Sequence, residues 1–190
     1  MYEVGTLLVY GNTGVCRITG VTTLDRPGID RNERYYVMEP LYQNSVIYTP
    51  VEGNKVFMRP VIAREEADRL IDMIPEIRAE ACSLHSPQQL SEHYQTVLRT
   101  HCCADLIELT MSIYQKRRSA EEQKSRFGYT DSKYMKRAEE LLFGEFAVAL
   151  GIPREEVPAY IAERIKGASV GEKKADKPSP VPRAMAGLAE

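Results

Sequence analysis

The sequence has few of the residues and motifs that mark metal sites or covalent catalysis. Its four cysteines include no CxxC pair, and neither they nor the three histidines show the spacing of zinc ligands. It contains no glycine-rich phosphate loop, no GxSxG and no HExxH. We therefore expect no cofactor, no bound metal and no enzymatic activity on a small-molecule substrate.

Long apolar runs and a strong net charge are also absent. No stretch of about 18 apolar residues occurs, and no basic segment followed by an apolar run opens the chain, so we expect neither a membrane span nor a signal peptide. The predicted location is the cytoplasm. The formal net charge of the 190 residues is -2. Any nucleic-acid binding would therefore need a local basic patch.

The remaining candidates for chemistry have simpler interpretations. His85, His93 and His101 fall eight residues apart, and we expect them on the surface or at helix ends. Cys102 and Cys103 could form a redox switch, but adjacent cysteines close a strained ring, which favours buried inert thiols. Adjacent glutamates diverge by about 100° around a helix and are predicted to face water or their own first turns. They are Glu65–Glu66, Glu121–Glu122, Glu139–Glu140 and Glu155–Glu156.

The first 60 residues have the pattern of short strands separated by turns. Runs of β-branched and aromatic residues alternate with segments rich in Gly, Pro and Asn. Gly11 and Gly14 bound the first turn, where glycine tolerates a positive φ. Residues 25–32 are predicted to form a flexible loop. The predicted strands lie at residues 7–10, 15–21, 34–41, 45–51 and 55–60.

From residue 61 onward the apolar residues recur at helical spacing. The predicted helices cover residues 64–74, 87–99, 106–114, 130–150 and 157–165, and the second has an apolar face of Leu90, Tyr94, Val97 and Leu98. The fold class is therefore α+β. A five-stranded Tudor-like or SH3-like barrel at residues 1–60 precedes an all-α domain of about five helices at residues 61–166. Residues 167–190 are polar and proline-rich, which predicts a disordered tail.

Two features indicate binding surfaces. Proline cannot donate to a strand ladder, so the strand ending at Pro50 is expected at a sheet edge, where a partner protein could add a strand. Alternatively, Pro50 only terminates the strand. The second feature is a basic patch at residues 115–138, which could track a phosphate backbone or could simply be a set of solvated helix faces. Its cations are Lys116, Arg117, Arg118, Lys124, Arg126, Lys133, Lys136 and Arg137.

Several segments, taken in order, resemble the CarD/CdnL family of bacterial transcription regulators over residues 1–166. They are Val4-Gly5 with Val9-Tyr10 and Gly14-Val15, Tyr35-Tyr36-Val37-Met38, Val46-x-Tyr48-x-Pro50 and Leu142-Phe143-Gly144-Glu145-Phe146-Ala147. The resemblance implies a Tudor-like domain, shared with the transcription-repair coupling factor, that docks on the lobe of the RNA polymerase β subunit. It also implies a helical domain that contacts promoter DNA at the upstream edge of the -10 element and slows collapse of the open complex. Such a protein would associate with the nucleoid through the polymerase.

The resemblance also suggests roles for individual residues. Docking by strand addition would fall on Val46, Ile47, Tyr48, Thr49 and Pro50, and phosphate contacts on Lys116, Arg117, Arg118, Lys133, Lys136 and Arg137. The chain has no tryptophan, and Leu90 stands where actinobacterial relatives place a wedge tryptophan, so Leu90 is the predicted wedge in the minor groove. Glu92 and His93 follow where those relatives are basic. These departures keep open a second hypothesis, in which the helical domain of a polymerase-bound adaptor binds another protein factor and not DNA.

Overall fold

The computed structural model describes residues 1–25, 32–82, 84 and 86–171. The chain divides into two compact units, an N-terminal domain (Met1–Val61) and a helical domain (Ile62–Glu190). Most of the predicted loop (residues 26–31), His85 and the predicted tail from residue 172 onward lie outside the described residues. Within the described ranges, no helix is long and apolar enough to cross a membrane.

The N-terminal domain is a five-stranded antiparallel sheet with the order β4-β3-β2-β1-β5, and all five predicted strands are present. The last two are shorter than predicted. The fifth begins late because the Asn54 side chain accepts the Val56 N–H (3.0 Å) and donates to the Val56 carbonyl (3.1 Å), which holds this segment as a turn. The strands are β1 (Leu7–Tyr10), β2 (Gly14–Thr23), β3 (Arg34–Pro40), β4 (Ile47–Pro50) and β5 (Met58–Pro60).

The turn between β1 and β2 needs its two glycines, as the sequence predicts. Gly11 has a φ of +43° and Gly14 a φ of +94°, a region that side chains with a Cβ rarely enter. A Cβ at Gly11 would also lie 2.9 Å from Cγ1 of Val56. A larger residue at position 11 would therefore meet both backbone strain and a steric clash.

The sheet curls so that its first and fourth strands meet through side chains. In a flat sheet β1 and β4 would lie about 14 Å apart, because two strands separate them at about 4.8 Å per step. Instead, the Tyr10 hydroxyl donates to Oγ1 of Thr49 at 3.3 Å. The curled sheet is barrel-like and encloses a core that consists of Leu8, Tyr10, Cys16, Ile18, Tyr36 and Met38.

The described residues of the helical domain form five α-helices, which confirms the α+β class. α3 extends beyond its predicted end through the charged run, where Arg117 pairs with Glu121 and Arg118 with Glu122 at helical spacing. α5 runs five residues past Lys166, because extending a formed helix adds one hydrogen bond per residue without a new nucleation step. The predicted tail is therefore wrong for residues 167–171. The helices are α1 (Arg64–Met73), α2 (Pro87–Leu98), α3 (Cys103–Glu122), α4 (Tyr129–Leu150) and α5 (Val157–Gly171).

α4 runs through the core of the helical domain. Its inner face supplies Ala138, Leu142 and Phe146, each with no exposed surface. The helix ends at Gly151, whose φ of +68° is the left-handed C-terminal conformation that the sequence predicts for this glycine. Because one face of α4 is fully buried, most of its charged residues lie on the remaining surface, but Asp131 and Glu145 are themselves buried.

Candidate functional site

Strand β4 lies at an edge of the sheet, as predicted from Pro50. It pairs with β3 so that Tyr48 lies opposite Val37 and Thr49 opposite Tyr36. The N–H of Val51, just after the strand, donates to the Arg34 carbonyl at 2.8 Å. Backbone groups alternate in direction along a strand. The backbone of Ile47 and Thr49 therefore faces β3, whereas the N–H and C=O of Tyr48 and the C=O of Pro50 face outward.

Side chains along β4 also alternate, between the outer surface and the interior of the domain. The five predicted docking residues therefore differ in exposure. Val46 and Tyr48 are 51% and 49% exposed, whereas Thr49 is 2% exposed. The Thr49 hydroxyl lies between Tyr10 and Asn54 in the domain interior. Thr49 therefore cannot contact a partner through its side chain, which corrects that part of the prediction. Ile47 and Pro50 are half-buried.

The opposite edge of the sheet is β5, which has only three residues. The Gly11 N–H donates to the Phe57 carbonyl at 2.9 Å, and alternation then places the backbone of Met58 and Pro60 on the outer side. Pro60 carries no N–H, so β5 offers a single outward donor, at Met58. The two edges therefore expose one N–H each, at Tyr48 and Met58. Exposed apolar side chains flank both donors: Val46 and Tyr48 are 51% and 49% exposed at β4, and Val56 and Phe57 are 42% and 43% exposed before β5.

This curled sheet with its β4 edge corresponds to a known domain family. Residues 2–62 match the family model of the CarD-like/TRCF RID domain. The match spans the N-terminal domain and confirms the predicted resemblance for this part of the chain. Assignment of the whole chain to the CarD/CdnL regulators stays a prediction, since the match does not extend into the helical domain. No curated protein matches the chain.

In the helical domain, the predicted wedge residue is buried. Leu90 is 5% exposed and belongs to the same core as Tyr94 and Leu98, which follow it on the inner face of α2. A wedge must project from the surface to enter a groove and unstack a base step. The wedge assignment of Leu90 is therefore wrong for this structure, and Leu90 acts as a core residue.

Lys116 is held by a buried carboxylate and is not an available phosphate contact. Its Nζ lies 2.9 Å from Oδ1 of Asp131, whose side chain is only 4% exposed. The Tyr94 hydroxyl donates to the same oxygen at 2.7 Å. Burial and the bond to Asp131 raise the pKa of Tyr94. The Tyr94–Lys116–Asp131 cluster thus connects α2, α3 and α4, which corrects the predicted DNA-binding role of Lys116.

Three of the predicted phosphate-binding arginines form ion pairs along their own helices. Arg117 and Arg118 on α3 pair with the glutamates four residues ahead, and Arg137 on α4 pairs with Glu140 at 2.9 Å. Arg117 and Arg118 remain exposed. Exposed pairs of this kind contribute less than about 1 kcal/mol. A phosphate could therefore compete for these guanidinium groups, although the glutamates reduce the local positive potential.

Four other cations of the patch have no carboxylate partner. Lys124, Arg126, Lys133 and Lys136 are exposed and form no ion pair with any residue that the structure describes. Tyr129, the first residue of α4, lies between Arg126 and Lys133 in the sequence and is 84% exposed. The sequence prediction did not select Tyr129, although its spacing of four and seven residues from Lys133 and Lys136 was visible.

The structure also places the residues that were considered for other chemistry. Of the adjacent pair, Cys103 is buried, as predicted, but Cys102 is exposed, contrary to the prediction; Cys16 is also buried. Burial raises the pKa of Cys16 to about 11. His93 is exposed on α2, and His101 lies between α2 and α3. The described residues contain no group of three or more side chains that could hold a metal ion.

One of the paired glutamates departs from the prediction that they face water. Glu139 is half-buried on α4, and this burial raises its pKa to about 7, against a smaller opposing effect of Arg117. A carboxyl group whose pKa is raised on folding favours the folded state most below its unfolded pKa. We therefore expect the Glu139 contribution to fold stability to decline as the pH rises from about 4.5 to 7.

Proposed function

We propose that this chain is a non-enzymatic transcription regulator that docks on the lobe of the RNA polymerase β subunit through strand β4. The family match of residues 2–62 supports a polymerase-binding role for the N-terminal domain. The observation that carries the proposal is the open β4 edge, with exposed Val46 and Tyr48 beside an outward N–H and outward carbonyls. Association with the polymerase would bring the protein to the nucleoid in the cytoplasm.

The geometry of β4 defines how a partner strand would bind. The Tyr48 N–H donates to, and the Tyr48 and Pro50 carbonyls accept from, the backbone of an added strand. Side-chain selectivity comes from Tyr48 and Val46, which cover the partner from one face. Val37 on β3 lies directly opposite Tyr48 and extends this apolar face. The contact is short, so its strength depends strongly on the Tyr48 side chain.

Two substitutions of Tyr48 test this docking mode. Tyr48→Ala removes the exposed ring, and we expect binding to the isolated β lobe to weaken by about tenfold or more, as for an aromatic residue at an interface centre. Tyr48→Pro removes in addition the one outward N–H of β4, without removing a bond to β3, and should bind more weakly still. Binding is measured by pull-down and by calorimetry.

The matched control is Tyr42→Ala, because Tyr42 is an exposed tyrosine of the same domain outside β4. Circular dichroism of each variant establishes that the fold is retained. If Tyr48→Ala and Tyr48→Pro bind the β lobe as tightly as the unmodified protein, β4 is not the docking edge.

We further propose that the helical domain contacts promoter DNA at the upstream edge of the -10 element and changes the lifetime of the open complex. The cations without carboxylate partners, Lys124, Arg126, Lys133 and Lys136, support this role, because they can displace counterions from a phosphate backbone. Arg117, Arg118 and Arg137 would assist after exchanging their glutamates for phosphates. Docking through β4 tethers the domain, so individually weak DNA contacts suffice.

Charge reversal on α4 tests the DNA contact. The double variant Lys133→Glu/Lys136→Glu places two carboxylates where phosphates would bind, and we expect promoter complexes challenged with heparin to decay about threefold or more faster than with the unmodified protein. Arg99→Glu, which reverses an exposed charge at the end of α2, serves as the control. Equal decay rates for the double variant and the unmodified protein would reject this surface.

The second candidate function is that of an adaptor whose helical domain binds another protein factor. The burial of Leu90 and the pairing of Lys116 with Asp131 favour it, because both remove predicted DNA contacts. Promoter footprinting with and without the protein separates the two functions. Extended protection of the upstream edge of the -10 element supports the DNA-contacting regulator, whereas an unchanged footprint together with retained β-lobe binding supports the adaptor.

A further inference from the structure

Tyr129 is the most exposed aromatic residue in the part of the chain that the structure describes. At 84% exposure it forms no part of the helical-domain core, and it begins α4 after the short α3–α4 connection. Tyrosine rings of soluble domains usually bury most of their area. A ring this exposed is available to stack on a planar ligand.

Two lysines follow this ring along the outer face of α4. Lys133 and Lys136 lie four and seven residues after Tyr129, so the three side chains form one stripe along the helix. All are exposed, and Ser132 between them is exposed as well. The stripe extends for about 10 Å along the helix axis at 1.5 Å per residue. It therefore combines an aromatic platform with two cations on one rigid element.

The connection before α4 adds two further cations, and the backbone of one of them, Lys124, is strained. Lys124 has a φ of +51°, one of two non-glycine residues in the described ranges with a positive φ. Glycine or asparagine would occupy this helix-terminating position with less strain. A lysine is thus held at a conformation that disfavours it, and its side chain is exposed together with that of Arg126.

From these observations we infer that Tyr129, Lys124, Arg126, Lys133 and Lys136 form a contact site for single-stranded DNA, in which Tyr129 stacks on an unpaired base. The ring supplies sequence-tolerant stacking, and the cations bind the flanking phosphates, which is how proteins bind single strands without base readout. Charge complementarity selects this ligand over an apolar protein segment, since no carboxylate in the described part of the chain forms an ion pair with Lys124, Arg126, Lys133 or Lys136. The inference deepens the proposed DNA contact of the helical domain and rests on that proposed function.

The test uses the full chain, a short oligothymidylate that carries one 2-aminopurine, and the matching duplex, all without polymerase. Stacking on Tyr129 should quench the 2-aminopurine fluorescence of the single strand. We expect Tyr129→Ala to abolish the quenching and to weaken single-strand binding by about tenfold, and Tyr129→Phe to restore most of both. Met73→Ala, which truncates another exposed apolar side chain of the domain, is the control for non-specific adhesion.

The salt dependence of single-strand binding is a second measurement, and it would not change if these residues had a purely structural role. Each lost phosphate contact should reduce the slope of log K against log salt by about 0.7 for a single strand, so Lys133→Ala is expected to show that change. Equal single-strand binding by Tyr129→Ala, or tighter binding of the duplex than of the single strand, would overturn the inference. Because polymerase is absent, these results do not depend on whether β4 docks on the β lobe.

Discussion

Replacing Leu90 with alanine is expected to lower the free energy of unfolding of the helical domain by about 3 kcal/mol, the loss typical of a leucine removed from a packed core. Leu90 is 5% exposed and shares its core with Tyr94 and Leu98. The substitution removes apolar area and leaves a cavity between helices. Urea unfolding followed by the helical circular-dichroism signal measures the change.

Leu90→Met is the matched control for this substitution, because methionine keeps the volume and should change the stability by less than about 1.5 kcal/mol. A wedge residue would behave in the opposite way. If Leu90→Ala left the unfolding free energy unchanged and shortened the lifetime of promoter complexes, Leu90 would be exposed in solution and its assignment to the core would be incorrect.

The second large effect is expected at Asp131. Asp131→Ala removes the carboxylate that accepts from both Tyr94 and Lys116 and leaves a mostly buried ammonium group without its counter-ion. Lys116 retains 27% of its side-chain surface, so water compensates in part. We expect a loss of about 2 to 3 kcal/mol in the free energy of unfolding, at or just below the lower end of the range for a broken buried pair.

A double-mutant cycle with Lys116→Met separates the ion pair from other effects of removing Asp131. Methionine fills the space of the lysine stem without its charge, so Asp131→Ala should be less destabilising in the Lys116→Met background. If the two substitutions are additive within about 0.5 kcal/mol, Lys116 and Asp131 do not interact, and Lys116 returns to the set of candidate phosphate contacts.

The elements of the fold could be predicted because local patterns specify them. Alternating β-branched runs gave all five strands, and the glycines at positions 11 and 14 marked a turn that only positive φ angles permit. Pro50 predicted the β4 edge because a proline disrupts the ladder of an interior strand. The start of β5 could not be predicted from pattern alone, since it depends on the side-chain hydrogen bonds of Asn54 with Val56.

The candidate site was less predictable, because it depends on contacts between residues that are distant in sequence. Fifteen positions separate Lys116 from Asp131, and no local pattern shows that α3 and α4 bring them together. Leu90 is a different case. Its spacing with Tyr94 and Leu98 already placed it on the apolar face of α2, and the resemblance to a family with a tryptophan wedge suggested a role that this spacing contradicts.

Amide hydrogen exchange at Tyr48 tests most directly the proposal that β4 accepts a polymerase strand. In the isolated protein, the Tyr48 N–H faces outward and should exchange rapidly, whereas the Thr49 N–H, which faces β3, should be protected. Addition of the β lobe should slow exchange at Tyr48 by about a hundredfold or more, as expected for a newly formed strand ladder. Unchanged exchange at Tyr48 with a saturating β lobe, or protection of Met58 on β5 in its place, would contradict the account.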